Sequence, residues 1–533
     1  MTVLLLEELS VDLDDTAPKA DLIETLMADL AREHEADPPT LIETHISWVI
    51  LQGKDAWKVK KPVDLGFLDF SSLEKRHQAC LDEVRLNRRL AAEIYLGVIP
   101  ITRTWGRPRL DGEGEVLDYA VHMRRFDPDQ GLDRLLAGDQ LPDETFDTLA
   151  RQIAEFHAGA ARISVEQAKG RSPVDPALEN FPPLAAALAD DPDMRLRLKH
   201  LEHWTRQQAE RLQAVFARRL ADGFVRECHG DLHLGNIVRY RGRPLIFDCI
   251  EFNPGLRRID VISDLAFLLM DLDHRERPDL AWRVLNSYLE VTGDYPGLAL
   301  LDFYRVYRAL VRAKVNAIRL GQAGISMAGA NEAREQSLAY LEQAGSCTAP
   351  HRGALLITCG VSGSGKTHYS LGLSRRLGAV HLRSDIERKR LFGLKPLQPS
   401  DDLDIYTTEA SDRTFARLRE LAGLLLDAGY SVIVDATFIE RARRDDFRRL
   451  ADAQRVPFQI LLFDPSPETL RQRVRQRLQS ADDASEADLE VLESQLRHFD
   501  RPGDDEGEYL CIRNNEHGDD IGTISEEYPP NLI

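Results

Sequence analysis

No stretch of this 533-residue chain approaches the ~18 consecutive apolar residues that a bilayer-spanning helix needs, so no membrane span is expected. The opening Met1-Thr2-Val3-Leu4-Leu5-Leu6-Glu7-Glu8 has no basic residue ahead of its apolar ones, which argues against a secretory leader. The six cysteines, at 80, 228, 249, 347, 359 and 511, form no C-x-x-C pair and show no metal-ligand spacing. Reduced thiols and a cytoplasmic location follow as the expectation. Positive charge is the scarcer sign, with 68 Lys and Arg against 88 Asp and Glu and a formal net charge of -20. Long-range attraction to a polyanion is thereby disfavoured, and a nucleic-acid partner would need a local basic groove.

The hydrophobic fraction of 43% and charged fraction of 29% are ordinary globular values and exclude wholesale disorder. At about 150 residues per domain the length suggests three or four folding units.

The most specific motif is Gly360-Val361-Ser362-Gly363-Ser364-Gly365-Lys366-Thr367, which fills every fixed position of the G-x-x-x-x-G-K-[ST] phosphate loop. Ala354–Cys359 ahead of it is an apolar run of buried-strand type, and Thr367–Leu377 behind it has helical spacing. Glycines let backbone N–H groups reach phosphate oxygens, and the helix N-terminus adds partial positive charge beneath the anion. Lys366 is expected on the terminal phosphates and the Thr367 hydroxyl on Mg²⁺. The bland alternative is a glycine-rich turn with a chance Lys-Thr.

Along the rest of the chain, Asp21–Glu35 reads as an amphipathic helix and His45–Leu51 and Ala56–Lys60 as two strands around a tight turn. Ser72–Leu90 is a long helical pattern, Tyr119–Met123 a strand and Phe146–Ala160 a helix. Strands, a helix, a strand and then mainly helices is the outline of a bilobal protein-kinase-like fold.

His229-Gly230-Asp231-Leu232-His233-Leu234-Gly235-Asn236, followed by Leu245-Ile246-Phe247-Asp248, resembles the catalytic segment of the aminoglycoside phosphotransferase family, itself related to protein kinases. The resemblance covers roughly residues 40–320. It implies that Asp231 accepts or orients an acceptor hydroxyl, that Asn236 and Asp248 hold Mg²⁺ against the nucleotide phosphates, and that His229 is a structural brace. Ala56-Trp57-Lys58 is similar to the A-x-K of the third kinase strand, which points to Lys58 as the nucleotide lysine with Glu83 as its ion-pair partner. Lys60 lies on the same strand face and Glu74 on the same helix, so both remain rivals, and a solvated strand edge is the alternative for the whole group. No G-x-G-x-x-G precedes His45, a departure that keeps a pseudokinase reading open. Asp260 and Asp264 fit the acidic segment after the metal site, where helix capping is the expected role.

Beyond the breaker-rich Gly345–Gly353, the segment Ala379–Lys389 reads as a strand running into a charged helix. Its Ser384-Asp385-Ile386-Glu387-Arg388 is similar to the S-D-x-x-R element of small P-loop kinases such as gluconate kinases, 5'-hydroxyl polynucleotide kinases and zeta toxins. That likeness implies Asp385 as the base and Arg388 as an acceptor-binding group, while a helix cap would also use Ser384 and Asp385. Ser431–Thr437 is a β-branched run in which Asp435 has the Walker-B position for Mg²⁺. Of the arginines at 471, 473, 475 and 477, Arg473 and Arg477 share a helix face and suit a lid over the nucleotide; a solvated helix is the alternative. Arg444, in the run 441–449, is a further substrate-binding candidate. Acidic residues from Asp482 to Glu490 and at Asp504, Asp505 and Glu506 interrupt any nucleic-acid stripe.

The whole resembles bacterial fusions described as bifunctional aminoglycoside phosphotransferase and ATP-binding proteins. The expected fold is α/β and α+β, with a kinase-like domain over 1–345 (small lobe about 40–125, large lobe about 126–345). A linker follows at 346–352, then a P-loop kinase domain with a parallel sheet over 353–533. The expected cofactors are ATP or GTP and Mg²⁺, and the expected partner is a small-molecule hydroxyl acceptor, since fold alone selects no particular substrate. A polynucleotide 5'-kinase and a nucleotide-dependent regulator stand as alternatives. No feature sets the oligomeric state.

Overall fold

The computed structural model describes residues 17–512 apart from 34, 67, 171, 190, 321–324, 351, 401–402, 481–483 and 508. The Met1–Glu8 opening, His351 of the breaker-rich segment and Asp482 of the acidic stretch lie outside the described residues. The chain forms two compact units, one from Met1–Glu276 and Leu300–Thr348, the other from Arg277–Ala299 and Ala349–Ile533. Residues 277–299 pack with the second unit, well ahead of the expected linker at 346–352.

In the first unit, strands β1 (Thr40–Glu43), β2 (Ser47–Gln52), β3 (Asp55–Lys60), β4 (Tyr95–Thr104), β5 (Arg107–Leu110) and β6 (Glu115–Arg124) build an antiparallel sheet in the order β1-β2-β3-β6-β4-β5. Helix Ala17–Glu33 sends Ile23 and Leu26 into a core with Trp48, Ile50 and Val59. Helix Leu73–Ala91 begins where the Ser72 hydroxyl accepts from the Lys75 N–H. It is fastened to β6 by the buried Arg76–Asp118 pair at 3.0 Å. That bond fixes the register of the helix that carries Glu83.

The larger lobe is mainly helical. Helices Leu301–Leu320 and Met327–Ser346 bury Leu310, Ala313, Tyr340 and Leu341 with Phe181, Leu184 and Phe267. β7 (Val225–Glu227) pairs with β10 (Arg258–Asp260), and β8 (Ile237–Tyr240) with β9 (Arg243–Ile246). The segment 228–236 therefore leaves one short ladder and enters another, a connection held at both ends.

The second unit has a parallel sheet of β11 (Leu355–Cys359), β12 (Ala379–Arg383), β13 (Ser431–Asp435), β14 (Phe458–Phe463) and β15 (Tyr509–Ile512) in the order β12-β13-β11-β14-β15. Its central strands read as continuous apolar runs because both faces are covered: Leu356, Ile433 and Leu461 are all buried. β12 is an edge strand, and helix Pro278–Thr292 covers it. The Asn286 amide donates to the Ala379 carbonyl at 3.0 Å, and its Oδ1 accepts from the His381 N–H at 2.9 Å. One side chain thus pairs two edge groups that would otherwise be buried without partners.

Replacing Asn286 by Leu leaves that N–H and C=O unpaired, at about 1–3 kcal/mol for each group. Denaturant unfolding of Asn286→Leu should show a lower midpoint for the second unit; an unchanged midpoint would show that the edge finds other partners.

Candidate functional sites

In the first unit, the β3 side chains of Lys58 and Lys60 both turn inward. Lys58 Nζ lies 2.9 Å from Glu83 Oε1 and 3.1 Å from Asp248 Oδ1. Burial alone would lower its ammonium, but Asp248 and Glu83 hold it well above its usual range. Lys60, fully buried, pairs with the other Glu83 oxygen and with Glu251. Both rival lysines therefore share Glu83, and only Lys58 also reaches Asp248. Glu74 is exposed and joins neither lysine.

Asp248 has φ +62°, a left-handed backbone that aspartate tolerates better than most residues. One of its carboxylate oxygens, Oδ2, is buried without a hydrogen-bond partner among the described residues. The Asn236 amide donates to Asp231 Oδ2 at 2.8 Å and to the Asp231 carbonyl at 3.0 Å. His233 Nε2 lies 3.3 Å from the same carboxylate. His229 spans the loop, with Nε2 2.9 Å from the Phe247 carbonyl. Burial lowers the His229 imidazole, which keeps it neutral in a bracing position. Asp264 accepts from the N–H groups of His229 at 3.0 Å and Gly230 at 2.8 Å, and lies 3.1 Å from His157 Nε2. Asp260 caps helix Val261–His274 and pairs with Arg219 at 2.6 Å. Capping, expected of both aspartates, is thus performed by Asp260, whereas Asp264 braces the His-Gly-Asp loop.

In the second unit, β11 runs into the phosphate loop and helix Lys366–Leu377. Gly363, at φ +80°, would place a Cβ 2.9 Å from Val474 Cγ2 and 3.1 Å from the Leu470 carbonyl. No side chain fits between the loop and helix Pro467–Ser480. Lys366 Nζ donates to the Val361 carbonyl at 2.8 Å. Burial lowers its ammonium, opposed by Asp435 and Asp385. Asp435 ends β13 beside Lys366, with His381 Nε2 3.4 Å from its Oδ2. Burial would raise this carboxyl, yet His381, Lys366 and Thr367 bring it down to about 2.

Gly363, Lys366, Thr367 and Asp435 line one cleft of about 550 Å³, together with Asp385, Arg388, Arg473 and Arg477. Helix Ser384–Leu391 has Arg383 at its cap position and no side-chain cap bond, so Asp385 is not spent as a cap. Arg444 does not line the cleft. It is buried and bonded to both Glu506 oxygens at 2.6 and 2.7 Å and to the Phe438 and Asp500 carbonyls at 3.0 and 2.8 Å. The substrate-binding expectation for Arg444 is corrected on that ground: its guanidinium is fully engaged inside the unit. Its neighbour Arg443 lines the cleft instead, with Tyr406 and Gln495. Gln495 Oε1 accepts from the Ser362 N–H of the phosphate loop at 2.7 Å. Sequence reading missed these three because none belongs to a motif, and Arg443 differs from Arg444 only in which side of one helix it faces.

Residues 67–301 match the Phosphotransferase enzyme family and residues 355–502 the AAA domain family, so a phosphotransferase domain is fused to a P-loop kinase-like domain. The uncharacterized protein Rv2004c of Mycobacterium tuberculosis is 32% identical over 415 residues, covering 77% of this chain and 80% of its own length. Mb2027c of Mycobacterium bovis matches to the same extent. The chain belongs to one family with these mycobacterial proteins.

Among solved structures, a sugar kinase from Janibacter sp. HTCC2649 is 21% identical, covering 33% of this chain and 91% of its own, with a TM-score of 0.26. The Mycobacterium tuberculosis APS kinase CysC, in complex with AMPPNP and APS, is 22% identical, covering 33% and 96%, with a TM-score of 0.25. Likenesses of that size carry no argument about substrate. No described helix is long and apolar enough to cross a membrane.

Two outcomes follow from these sites. Burial raises the Asp264 carboxyl, but His157 and the loop N–H groups outweigh it and lower the group from 3.8 to about 2. A lowered carboxyl contributes its stability fully above pH 3.8 and loses it as pH falls through 2, on the order of 2 kcal/mol. Asp264→Asn should therefore flatten the stability–pH curve of the first unit between pH 4 and 2, measured by denaturant titration. Arg444→Leu strands the buried Glu506 and should cost the second unit about 3–5 kcal/mol; a stable Arg444→Leu protein with only a raised KM would restore the substrate-binding role.

Proposed function

We propose that the second unit is an ATP- and Mg²⁺-dependent kinase acting on a hydroxyl of a small molecule, and that the first unit is a second phosphotransferase for the same or a related acceptor. The observation that carries this reading is the convergence of the phosphate loop, Asp385, Asp435, Arg473 and Arg477 on one cleft.

In the second unit, the loop N–H groups and Lys366 bind the phosphates, and Arg473 and Arg477 meet the transferring group from the lid side. The acceptor oxygen bonds to the γ-phosphorus as the bond to the β,γ-bridging oxygen breaks, leaving ADP. The hydroxyl proton passes to Asp385. The Thr367 hydroxyl and the Asp435 carboxylate are hard oxygen donors beside Lys366, a donor set that fits Mg²⁺. In the first unit, Asn236 and Asp248 supply the corresponding donors, and the unpartnered Asp248 Oδ2 fits a cation. When bound, Mg²⁺ neutralises charge developing on the phosphates.

Lys58 is our choice for the nucleotide lysine of the first unit, because it alone of the two spans Glu83 and Asp248. Asp231, oriented by Asn236, accepts the acceptor proton there. Six cysteines with no disulfide among them support a cytoplasmic setting.

The test is transfer of labelled γ-phosphate from ATP with Mg²⁺ to a fractionated metabolite pool and, separately, to 5'-hydroxyl oligonucleotides. Wild type should label a metabolite, and Lys366→Ala should lower second-unit transfer about a hundredfold or more while sparing Asp231-dependent transfer. Asp231→Ala should do the reverse. Unchanged labelling in Lys366→Ala would sink the P-loop assignment. Label on oligonucleotides alone would indicate a polynucleotide kinase, and free phosphate alone a nucleotide-dependent regulator.

A further inference from the structure

One cationic group in the second-unit cleft is built but incompletely used. Arg388 is 8% exposed, and its Nη1 donates to the Ile405 carbonyl at 2.9 Å and to Ser411 Oγ at 3.2 Å. Its Nε, although buried, has no hydrogen-bond partner among the described residues. Its guanidinium carbon lies 5.1 Å from the centre of the Tyr406 ring. Burying a charged donor without a partner is costly, so such a group implies something that completes it.

A second arginine stands at the same rim in a matching arrangement. Arg443 lines the cleft with its guanidinium carbon 4.6 Å from the centre of the Phe415 ring, and it pairs with Asp412. The start of helix Thr408–Asp427 and the Tyr406 that precedes it thus support both: Tyr406 and Ser411 hold Arg388, and Asp412 and Phe415 hold Arg443. Stacking on an aromatic face restrains a guanidinium and lowers the entropy lost when it binds. Asp385 is three residues before Arg388 on one helix, so the two share a face and both line the cleft.

We propose that the acceptor of the second unit carries its own oxyanion, a carboxylate or a phosphate, which the Nε side of Arg388 and the Arg443 guanidinium bind close to the hydroxyl presented to Asp385. The inference rests on the kinase reading of this cleft. An Nε–Nη2 edge offers two parallel donors, which suits an oxyanion and gives a neutral polyol no equivalent gain. Neutral acceptors would leave Arg388 Nε unpaired and are selected against.

The test uses the full chain saturated with AMPPNP and Mg²⁺, so that the phosphate loop is occupied. Calorimetric titrations with inorganic phosphate, and separately with malonate, are compared with sorbitol and with chloride at matched ionic strength. One or both oxyanions should bind saturably, sorbitol and chloride should not, and Arg388→Lys and Arg443→Gln should each weaken the binding about tenfold or more. The better of phosphate and malonate identifies which oxyanion the site takes. AMPPNP affinity unchanged in both variants verifies the fold. If AMPPNP binds but neither oxyanion does, or if both variants bind them as wild type does, the oxyanion proposal is overturned and the kinase reading stands. If AMPPNP fails to bind wild type, the kinase reading itself falls and takes this inference with it.

Discussion

Asp264 accepts hydrogen bonds from the backbone of His229 and Gly230 and lies beside His157, all without access to water. The loop that carries Asp231 and Asn236 cannot make a regular ladder, because it passes from one two-stranded pairing to another. Its N–H groups must still be satisfied, and a single ionised carboxylate on a buried helix does so. Asp271 repeats the device at the far end, accepting from the Leu234 N–H at 2.9 Å. The position of Asp231 relative to Asn236 and the Lys58–Asp248 pair depends on those two anchors. The loop is thus held from behind, by carboxylates that are themselves buried.

The second unit meets a different constraint. A parallel sheet buries both faces and leaves its edges to be dealt with. At β12 the solution is the Asn286 amide on helix Pro278–Thr292, a side chain with the donor and acceptor geometry of a peptide group. Trp282 of the same helix packs edge-on to Tyr430, with ring centres 6.2 Å apart. The strand so protected leads directly into Asp385 and Arg388, so the cover also steadies that wall of the cleft.

Much of the layout of both candidate sites was legible in the sequence because phosphate-handling motifs have fixed spacings. The phosphate loop, the Walker-B strand ending in Asp435, and the run from His229 to Asn236 each need particular residues at particular offsets, and each lies on the strand, loop or helix its pattern implies. Arginines were harder to read. Arg388, Arg443 and Arg444 are alike in composition and context, yet Arg444 is enclosed by Glu506 and two carbonyls while the other two line the cleft. Sequence shows that a helix is rich in arginine; which face of it meets an acid depends on a partner 62 residues away.

What the sequence determined alone is therefore local and periodic: two motifs of fixed spacing and the elements that carry them. Tertiary structure decided which of Lys58 and Lys60 touches Asp248, that Asp264 braces the loop where Asp260 caps a helix, and that residues 277–299 pack with the second unit. The division has a physical cause. Hydrogen-bond ladders and helix periods are written over neighbouring residues, whereas the pairing of a buried charge is settled by whichever opposite charge the fold carries to it, across 190 residues in the case of Lys58 and Asp248.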